Sequence, residues 1–535
     1  MPDADSNTTG GKPSIQIGAV PETIRVLKDE INNGALPEVY VTDGRLSIVE
    51  QVSGTANQDA GDRDKPLPVT SDVLTPPRLA LHLAEHTYTY RMTAKTRNKV
   101  TTIEETEVSP PGNALQAVLA GRNWPKVPAL RGIIGAPVLR GDGTLLQARG
   151  YDERTGLYLA PNVELPLVPD APTPDEVAEC RSFLLEAFLH DFPWVSNADR
   201  ANYIALMVTP ILGRYLRVLT PFGIITATMP GSGKTILTSG PGLLYGQRVF
   251  SWTDSDEELR KTITSALATV EGTMIFDNLA EGTVINSAVL ANLLTSPVWS
   301  DRLLGGNRIA TAPNDRLWLA TGNNLGVGGD MASRTVWVRI DPKIPRPEQR
   351  SGFALGDLTQ WIAAPLNQRR LLYCLLVLVV DWTRADAPRE TGAGTAMRQF
   401  TPWAQGVGGF LAHHRIEDFL ANAEDARQED ADDGEWAVFL AAWHERFGLE
   451  RKKAAEVRKS AEPDYADGAG ALDPWDGMFI SNDRGRTPNP KQLAMLLRGQ
   501  VGRFHGDYVL RKAIDAHTKN ALWWVETASD DEDER

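Results

Sequence analysis

A short glycine-rich segment that directly follows an apolar run constrains the fold of this chain more than any other feature. Residues 223–227, Gly-Ile-Ile-Thr-Ala, are typical of a buried strand, and residues 228–235 continue as Thr-Met-Pro-Gly-Ser-Gly-Lys-Thr ahead of a helical pattern. Strand, loop and helix in this order place backbone N–H groups at a helix start, where an anion is favoured. The segment therefore predicts an α/β unit with a loop shaped for phosphate.

The residue types in this loop have separate tasks in binding a nucleoside triphosphate. Backbone N–H groups of residues 231–235 are expected to face the β-phosphate, Lys234 to reach the β- and γ-oxygens, and the Thr235 hydroxyl to hold Mg²⁺. The consensus pattern of phosphate-binding loops of this kind would place its first glycine where this chain has Thr228. An ordinary turn before a helix is the structural alternative for the segment. We predict ATP and Mg²⁺ as ligands. The predicted ATP-binding residues are Pro230, Gly231, Ser232, Gly233, Lys234, Thr235 and Ile236.

A second apolar run, residues 273–277, ends in an acid, Asp277. Because parallel strands end at one edge of a sheet, Asp277 is expected to lie near the loop and to orient a Mg²⁺-bound water. The next residue is Asn278, whose amide can position an attacking water but cannot take its proton. Acids also end strands for reasons of turn geometry, which is the structural alternative for Asp277.

Two further polar residues flank predicted strands of the same region. Residues 317–321 form an apolar run that leads into Gly322 and Asn323, and Arg334 stands just before the β-branched run 335–340. The structural alternative to a functional role is an asparagine-rich turn for Asn323 and a surface salt bridge for Arg334.

Short β-branched runs alternate with helical patterns between residues 223 and 340, which is typical of βαβ units around a mainly parallel sheet. One helix is indicated by the capping-box pair Ser255 and Glu258. Its predicted apolar face consists of Leu259, Ile263, Ala266 and Leu267. At 535 residues the chain is too long for one core, so we expect further domains.

Composition divides the rest of the chain. We predict disorder at 1–14, an N-terminal α+β region at 15–165 with β-hairpins near 138–159, a helical linker or collar at 175–220, a P-loop ATPase core at 221–345, a helical lid at 346–460, a winged-helix-like domain at 475–527 and an acidic tail at 528–535. The predicted fold class is α/β, with a parallel-sheet P-loop core, a β-rich N-terminal region, a helical lid and a small C-terminal winged-helix-like domain.

Charge is unevenly distributed along the chain. The formal net charge is −14, and residues 424–435 alone carry seven acids and one arginine. Residues 484–525, in contrast, carry eight basic residues and two acids. The acidic runs are typical of disordered, solubilising segments, and their segregation leaves room for a local surface that contacts phosphates.

The sequence disfavours membrane and disulfide roles. The longest apolar run, residues 371–380, has ten residues, against about 20 for a bilayer span, and no charged-then-apolar leader opens the chain. Cys180 and Cys374 are the only cysteines, and the histidines form no zinc-ligand spacing with them. We expect a soluble, cytoplasmic protein with two buried, reduced cysteines.

With these elements in order, residues 199–342 resemble the helicase-type ATPase module of phage and mobile-element replication proteins. They are similar to the superfamily 3 and virulence-associated-protein-E-like ATPases of the AAA+ group, and Phe-Asp-Asn-Leu at 276–279 resembles the acid-bearing strand of that lineage. Residues 400–404, 408–411 and 418–422 look like the helical lid after such modules, and residues 130–133 and 150–157 look like the β-rich region before them.

The resemblance implies a ring, expected to be a hexamer, that hydrolyses ATP at subunit interfaces. Such a ring would translocate on or unwind single-stranded or forked DNA during replication of a phage or mobile element, together with other replication proteins. The resemblance also implies that Asn323 is a sensor of the γ-phosphate or the attacking water. Arg334 would reach the γ-phosphate of a neighbouring subunit and stabilise transition-state charge.

Candidate DNA contacts lie outside the nucleotide site. Residues 301–309 are typical of a hairpin, placed where superfamily 3 rings carry a pore hairpin, with Arg308 as the pore candidate. Arg302 is a second candidate and could equally face a neighbouring subunit. Arg498 and Arg503 belong to the basic C-terminal unit and are candidates for a winged-helix contact. A solvated surface position is the alternative for each arginine.

A nucleotide-dependent switch or scaffold is the alternative function. ATP would then drive assembly, in regulation or antiphage defence, with little DNA-coupled hydrolysis, and Asn278 together with the acidic balance favours this hypothesis. A nucleotide kinase is disfavoured because no arginine-rich lid follows the loop. Stimulation of ATP hydrolysis by single-stranded DNA would separate the motor from the switch.

Overall fold

Strands outnumber helices before residue 160, alternate with helices between residues 222 and 340, and give way to helices between residues 358 and 460. The structure is a computed structural model that describes residues 8–9, 11–51, 69–97, 99–302, 309–343, 347, 350, 352–423, 431–462, 473–481, 486–502, 504–505, 507–515 and 520–527.

The strands are numbered in chain order. They are β1 (Thr8–Thr9), β2 (Lys12–Gln16), β3 (Val39–Thr42), β4 (Arg45–Gln51), β5 (Val69–Val73), β6 (Tyr88–Arg97), β7 (Val100–Glu107), β8 (Gly132–Ile134), β9 (Val138–Leu139), β10 (Leu145–Leu146), β11 (Gly150–Asp152), β12 (Leu157–Leu159), β13 (Phe222–Ala227), β14 (Gln247–Phe250), β15 (Thr273–Leu279), β16 (Val284–Ile285), β17 (Val298–Arg302), β18 (Ile309–Pro313), β19 (Leu317–Asn323), β20 (Gly326–Val327), β21 (Thr335–Ile340), β22 (Phe504–His505), β23 (Tyr508–Ile514) and β24 (Ala521–Thr527).

The α-helices are numbered in the same way. They are α1 (Val20–Asn32), α2 (Pro76–His86), α3 (Gly112–Leu119), α4 (Pro174–Ser182), α5 (Asn197–Leu216), α6 (Lys234–Tyr245), α7 (Asp256–Leu267), α8 (Ala288–Thr295), α9 (Leu358–Ala363), α10 (Pro365–Arg384), α11 (Thr401–His413), α12 (Ala431–Phe447), α13 (Ala454–Ser460) and α14 (Pro490–Gln500). A π-helical turn, Phe183–Phe188, continues α4, and 3₁₀ helices span Gly329–Arg334 and Thr395–Phe400.

The central sheet has the strand order β14-β15-β19-β13-β21, and all neighbouring strands in it pair in parallel. Every residue of β13 and β21 is buried, as expected for strands of a parallel sheet that is covered on both faces. Because β19 lies between β13 and β15, the carboxyl ends of these three strands meet at one edge. The predicted α/β class with a parallel sheet is confirmed, whereas the P-loop core and the winged helix stay predictions.

The core around this sheet extends into α5, α10 and α11. The apolar run at residues 371–380 is buried on nearly all sides of α10. Trp403 of α11 is fully buried, and its indole N–H donates to Thr209 Oγ1 at 3.0 Å. Within the described part of the chain, no helix has the length and apolarity needed to cross a bilayer.

Several local predictions are confirmed. Helix α7 begins after Ser255, whose hydroxyl accepts the Glu258 N–H at 3.4 Å, and the predicted apolar face of α7 is buried. Only this half of the predicted capping box forms among the described residues, because the Ser255 N–H donates to Thr253 Oγ1 and the Glu258 carboxylate accepts from Lys261. The pairs β9–β10 and β11–β12 are the antiparallel hairpins expected near residues 138–159. Strands β17 and β18 form the predicted hairpin, with Arg302 opposite Ile309. The tip of this hairpin, with Arg308, lies outside the described residues.

Two segments expected to be disordered contain regular structure. Strand β2 begins at Lys12 and pairs in parallel with β6, because Ile15 is an apolar residue that packs into the N-terminal core. Helix α12 begins at Ala431, inside the acidic run, and the Glu435 carboxylate accepts the Ser481 N–H at 2.9 Å. A charge count does not register such a packing or hydrogen-bonding partner. Residues 424–430 and the acidic tail 528–535 lie outside the described residues.

The C-terminal unit combines α14 with the antiparallel sheet β22-β23-β24. Leu493 and Leu497 of α14 are fully buried in a core that also includes Trp523 and residues of α12 and α13. Val501 lies just beyond the end of α14 and is 38% exposed. The unit therefore has its own core, separate from that of the parallel sheet.

Candidate phosphate-binding site

The glycine-rich loop runs from β13 into α6 with a backbone that glycine adopts most readily. Gly231 and Gly233 have φ angles of 73° and 102°, in the region disfavoured for residues with a Cβ atom. A Cβ atom at Gly233 would lie 3.4 Å from the Phe192 ring. The Ser232 hydroxyl donates to the Met229 carbonyl at 2.5 Å and closes the loop. The loop is thus tightly wound, and its shape depends on both glycines.

Helix α6 begins without a side-chain cap. Its N-cap residue is Gly233, and the N–H groups of Ile236 and Leu237 bond to the Gly233 carbonyl. Among the described residues, no acceptor takes the N–H groups of Lys234 and Thr235 or the exposed Thr235 hydroxyl. Uncapped N–H groups and the positive end of the helix dipole favour an anion at this position.

Lys234 extends toward the neighbouring strand β19. Its Nζ donates to Asn323 Oδ1 at 2.6 Å and lies 3.5 Å from the Met229 carbonyl oxygen. Partial burial lowers the pKa of the Lys234 ammonium, and the charge of Asp277 opposes this shift. The structure therefore brings three of the residues predicted to be catalytic, Lys234, Asn323 and Asp277, to the same edge of the sheet.

A bulge in β15 presents Asp277 at this edge. The pairing of β15 with β19 shifts between Phe276 and Leu279, and Asn278 has a φ angle of 53°. The Thr321 hydroxyl donates to Asp277 Oδ1 at 2.5 Å and accepts the Asn278 N–H at 2.8 Å. Thr321, which is 2% exposed, thus fixes both residues and leaves Asp277 Oδ2 for a second partner.

Glu281 is a second carboxylate near this edge that the sequence analysis missed. It follows β15, and its Oε1 accepts from Asn324 Nδ2 at 3.0 Å. The neighbouring Gly282 N–H donates to the Asn323 carbonyl at 3.1 Å. These contacts attach the turn that carries Glu281 to the predicted sensor segment. The sequence shows that Glu281 follows Asp277 closely, which was the available signal for a second carboxylate. It does not show in which direction the turn after β15 runs.

Arg334 ends the 3₁₀ helix before β21, and it therefore lies at the amino end of a strand whose carboxyl end faces the glycine-rich loop. Its guanidinium donates to the Ala291 carbonyl at 2.7 Å and pairs with Asp330 at 3.0 Å, and its side chain is 14% exposed. These contacts correspond to the salt-bridge alternative within one subunit. The predicted reach into a neighbouring subunit is not supported by them and stays a prediction.

A cavity of about 640 Å³ opens beside the glycine-rich loop. Residues 231–233 line one side, and Phe192, Arg350 and Phe353 line others. Arg350 donates to the Asp191 carbonyl at 2.8 Å and lies over the Phe353 ring at 5.2 Å. The size of the cavity and its mixed polar and apolar lining suit a nucleoside-sized group. No sequence pattern predicts this cavity, because its walls come from segments 159 positions apart.

The predicted DNA contacts lie on separate units. Arg302 is exposed at the end of β17, and Arg498 is exposed on α14. Arg308 and Arg503 lie outside the described residues. The structure thus gives positions for two of the four arginines, and their role in DNA binding stays a prediction.

The two cysteines are free and buried, as predicted, and they contact each other although they are far apart in sequence. A hydrogen bond with Cys374 lowers the pKa of the Cys180 thiol. Two groups of possible metal ligands also come together: His82, Glu85 and His86 on α2, and Asp381, His413 and His414. The spacing of the first group was visible in the sequence, whereas the second depends on the packing of α10 against α11.

No family model matches the chain, and no curated protein matches it. Among solved structures, the chain is similar to the A-form apo structure of the NrS-1 C-terminal region, with 11% identity over 81% of this chain and 93% of that chain and a TM-score of 0.31. It is also similar to the JCV helicase, with 14% identity over 47% of this chain and 72% of that chain and a TM-score of 0.21. Likeness at this level carries no functional conclusion, so function has to be argued from the site.

Proposed function

We propose that this chain is an ATP-dependent DNA helicase or translocase that acts in replication of a phage or mobile element. One observation carries the proposal: Lys234, Asn323 and the pair Asp277–Thr321 converge at the edge where an uncapped helix begins. A glycine-rich turn or a strand-end acid is common by itself. Their combination with a lysine that already contacts the next strand favours binding and hydrolysis of a nucleoside triphosphate.

Each group has a defined task in this proposal. The N–H groups of Lys234 and Thr235 bind phosphate oxygens, and Lys234 exchanges its bond to Asn323 for one to the γ-phosphate. Asn323 is then free to orient the attacking water. The nucleoside lies in the cavity beside Phe192 and Phe353.

Thr235 and Asp277 supply oxygen ligands of the kind that Mg²⁺ prefers, and the free Asp277 Oδ2 fits such a role. Mg²⁺, when bound, neutralises phosphate charge. Asn278 cannot take the proton from the attacking water, and we assign this task to the Glu281 carboxylate. Ring assembly and the action of Arg334 in a neighbouring subunit belong to the proposal through the sequence resemblance alone.

Steady-state ATP hydrolysis with and without single-stranded or forked DNA tests this function. We expect DNA to stimulate the wild-type chain several-fold and Lys234→Ala to lower turnover by about 100-fold, because a charge that stabilises the transferring phosphoryl group is removed. Lys126→Ala, which changes a lysine of the N-terminal region, is the matched control. Turnover that Lys234→Ala leaves unchanged would contradict the assignment of the site.

A nucleotide-dependent assembly switch is the second candidate, favoured by Asn278 at the position that follows Asp277. Under this hypothesis ATP binding drives assembly and hydrolysis is slow. Measurement of the assembled mass with and without ATP, next to the hydrolysis assay, separates the two functions. Slow turnover that DNA does not stimulate, together with ATP-dependent assembly, would favour the switch over the motor.

A further inference from the structure

An arginine-lined cleft lies near the amino ends of the parallel strands, away from the candidate phosphate-binding site. The cleft has a volume of about 400 Å³. Its lining includes Arg131, Arg140, Arg154, Arg214 and Arg217. Arg214 belongs to the last turn of α5, which leads into β13, whereas the glycine-rich loop follows the carboxyl end of β13. The two sites are therefore separated by the length of that strand.

The cleft has an excess of positive charge. Three of the five guanidinium groups have carboxylate partners, in the pairs Arg140–Asp152, Arg154–Asp142 and Arg214–Asp315. Among the described residues, Arg131 and Arg217 have no carboxylate partner. The five guanidinium groups of the lining thus have three carboxylate partners, of which Asp315 is also shared with Arg316, in a chain whose net charge is −14. An anion is the ligand that this excess favours.

Carboxylates pair with two of these arginines, in a largely buried pair, Arg140–Asp152, and an exposed pair, Arg154–Asp142. Hydrogen bonds from the Thr144 hydroxyl and N–H, together with Arg154, hold the pKa of Asp142 at about 2. The hydrogen bond from Arg140 likewise lowers the pKa of Asp152. Both carboxylates are ionised at neutral pH, so each balances the charge of one arginine and the excess charge of the cleft stays with Arg131 and Arg217.

The two unpaired arginines lie over turns of the β-hairpins. A Cβ atom at Gly141 would lie 3.5 Å from an Arg217 guanidinium nitrogen, and one at Gly156 would lie 3.1 Å from Arg131 Cγ. Both turns end without bulky side chains at these points, so the arginines can lie close to the backbone. Arg217 and Arg131 are exposed and open to a ligand that enters the cleft.

We propose that this cleft binds the phosphate backbone of a nucleic-acid strand, with Arg131 and Arg217 as the principal contacts and Arg154 at the rim. Guanidinium groups bind phosphate in a bidentate manner, and several of them around one cleft suit a ligand with repeated phosphates. The choice of a nucleic acid over a small polyphosphate rests on the proposed function. The charge and geometry of the cleft do not depend on that choice.

The test compares wild-type protein with the double variant Arg131→Ala/Arg217→Ala in binding to fluorescent single-stranded DNA, without ATP, over a range of salt concentrations. The slope of log K against log salt is negative, and loss of two phosphate contacts should make it less steep by about 1.4. Binding at low salt should weaken by about tenfold or more. Arg25→Ala/Arg97→Ala, two exposed arginines outside the cleft, is the matched control and should leave the slope unchanged.

Unfolding midpoints and ATP hydrolysis without DNA should be the same in all three proteins. A DNA affinity and slope unchanged in the cleft variant would overturn the proposal. Inorganic tripolyphosphate provides a second arm: if the cleft variant loses tripolyphosphate binding but keeps DNA binding, the cleft takes small polyphosphates and the nucleic-acid assignment is wrong. Absence of ATP hydrolysis in the wild-type chain would remove the proposed motor but would leave the DNA-binding comparison intact.

Discussion

The two ends of the parallel sheet use charged residues in different ways. At the carboxyl end, single groups are held in contact, with Lys234 at 2.6 Å from Asn323 and Thr321 at 2.5 Å from Asp277. Near the amino ends, five arginines surround a cleft of about 400 Å³. Chemistry at one atom requires position, whereas attraction of a polyanion requires an excess of charge. Single substitutions at the first site should therefore abolish most of the turnover, whereas single substitutions at the second site should weaken binding only in part.

The largest effect is expected for Asp277→Asn. Asparagine keeps the shape and can still accept from Thr321, but it removes the charge that a metal ion requires, so turnover should fall by about 100-fold or more with little change in stability. Steady-state hydrolysis and thermal unfolding measure the two quantities. Asp175→Asn on α4 is the control, and a loss of less than about threefold for Asp277→Asn would argue against the position-dependent site.

Thr321→Val should have the next largest effect, because it removes the hydroxyl that positions Asp277 and accepts the Asn278 N–H. We expect kcat to fall by about tenfold, which corresponds to about 1.4 kcal/mol. Thr321→Ser restores the hydroxyl and should recover most of kcat. If valine and serine variants behave alike, packing rather than hydrogen bonding explains the role of Thr321.

Arg334→Ala removes a mostly buried side chain at the amino end of β21. Loss of its bonds to Ala291 and Asp330 should lower the free energy of unfolding by about 1 kcal/mol, as measured by denaturant titration. Mixtures with Lys234→Ala subunits provide the sharper observation. Recovery of turnover in the mixture would support action in a neighbouring subunit, and a stability change without recovery would assign Arg334 to its own subunit.

The smallest effects are expected for single arginine variants of the cleft. Arg131→Ala and Arg217→Ala should each weaken binding of single-stranded DNA by about three- to fivefold. Their changes in binding free energy should add in the double variant, so that the fold-changes multiply. Titrations at one fixed salt concentration suffice. If either single variant abolished binding, the cleft would resemble the carboxyl end of the sheet, and the contrast between the two regions would fail.

The sequence was sufficient to predict the elements and residues that local patterns determine. Apolar runs indicated the strands that carry Asp277 and Asn323, and the rule that parallel strands end at one edge placed both near Lys234. The contact of Thr321 with Asp277 was not predictable, because it depends on the register of β15 against β19 and on a bulge in β15. Periodicity determines which residues are buried but not which residues lie opposite each other.

The cleft and the cavity beside the loop escaped prediction for a related reason. Arg131, Arg154 and Arg217 come from three segments, and only the packing of the β-hairpins against the end of α5 brings them together. The end of the acidic run was misjudged because the charge count stopped at residue 435. Helix α12 begins inside the run, continues beyond it to Phe447, and buries Trp436 and Phe439 in the C-terminal core. Long-range packing, which is absent from local patterns, decides such cases.

Binding of Mg²⁺-ATP, measured by calorimetry on the wild-type chain and on Lys234→Ala, tests the central claim most directly. The account predicts a Kd on the order of micromolar for the wild-type chain and a value about 100-fold weaker for the variant, with the same unfolding midpoint. Equal affinity in the two proteins, or no measurable binding to a folded wild-type chain, would contradict the assignment of the glycine-rich loop to a triphosphate.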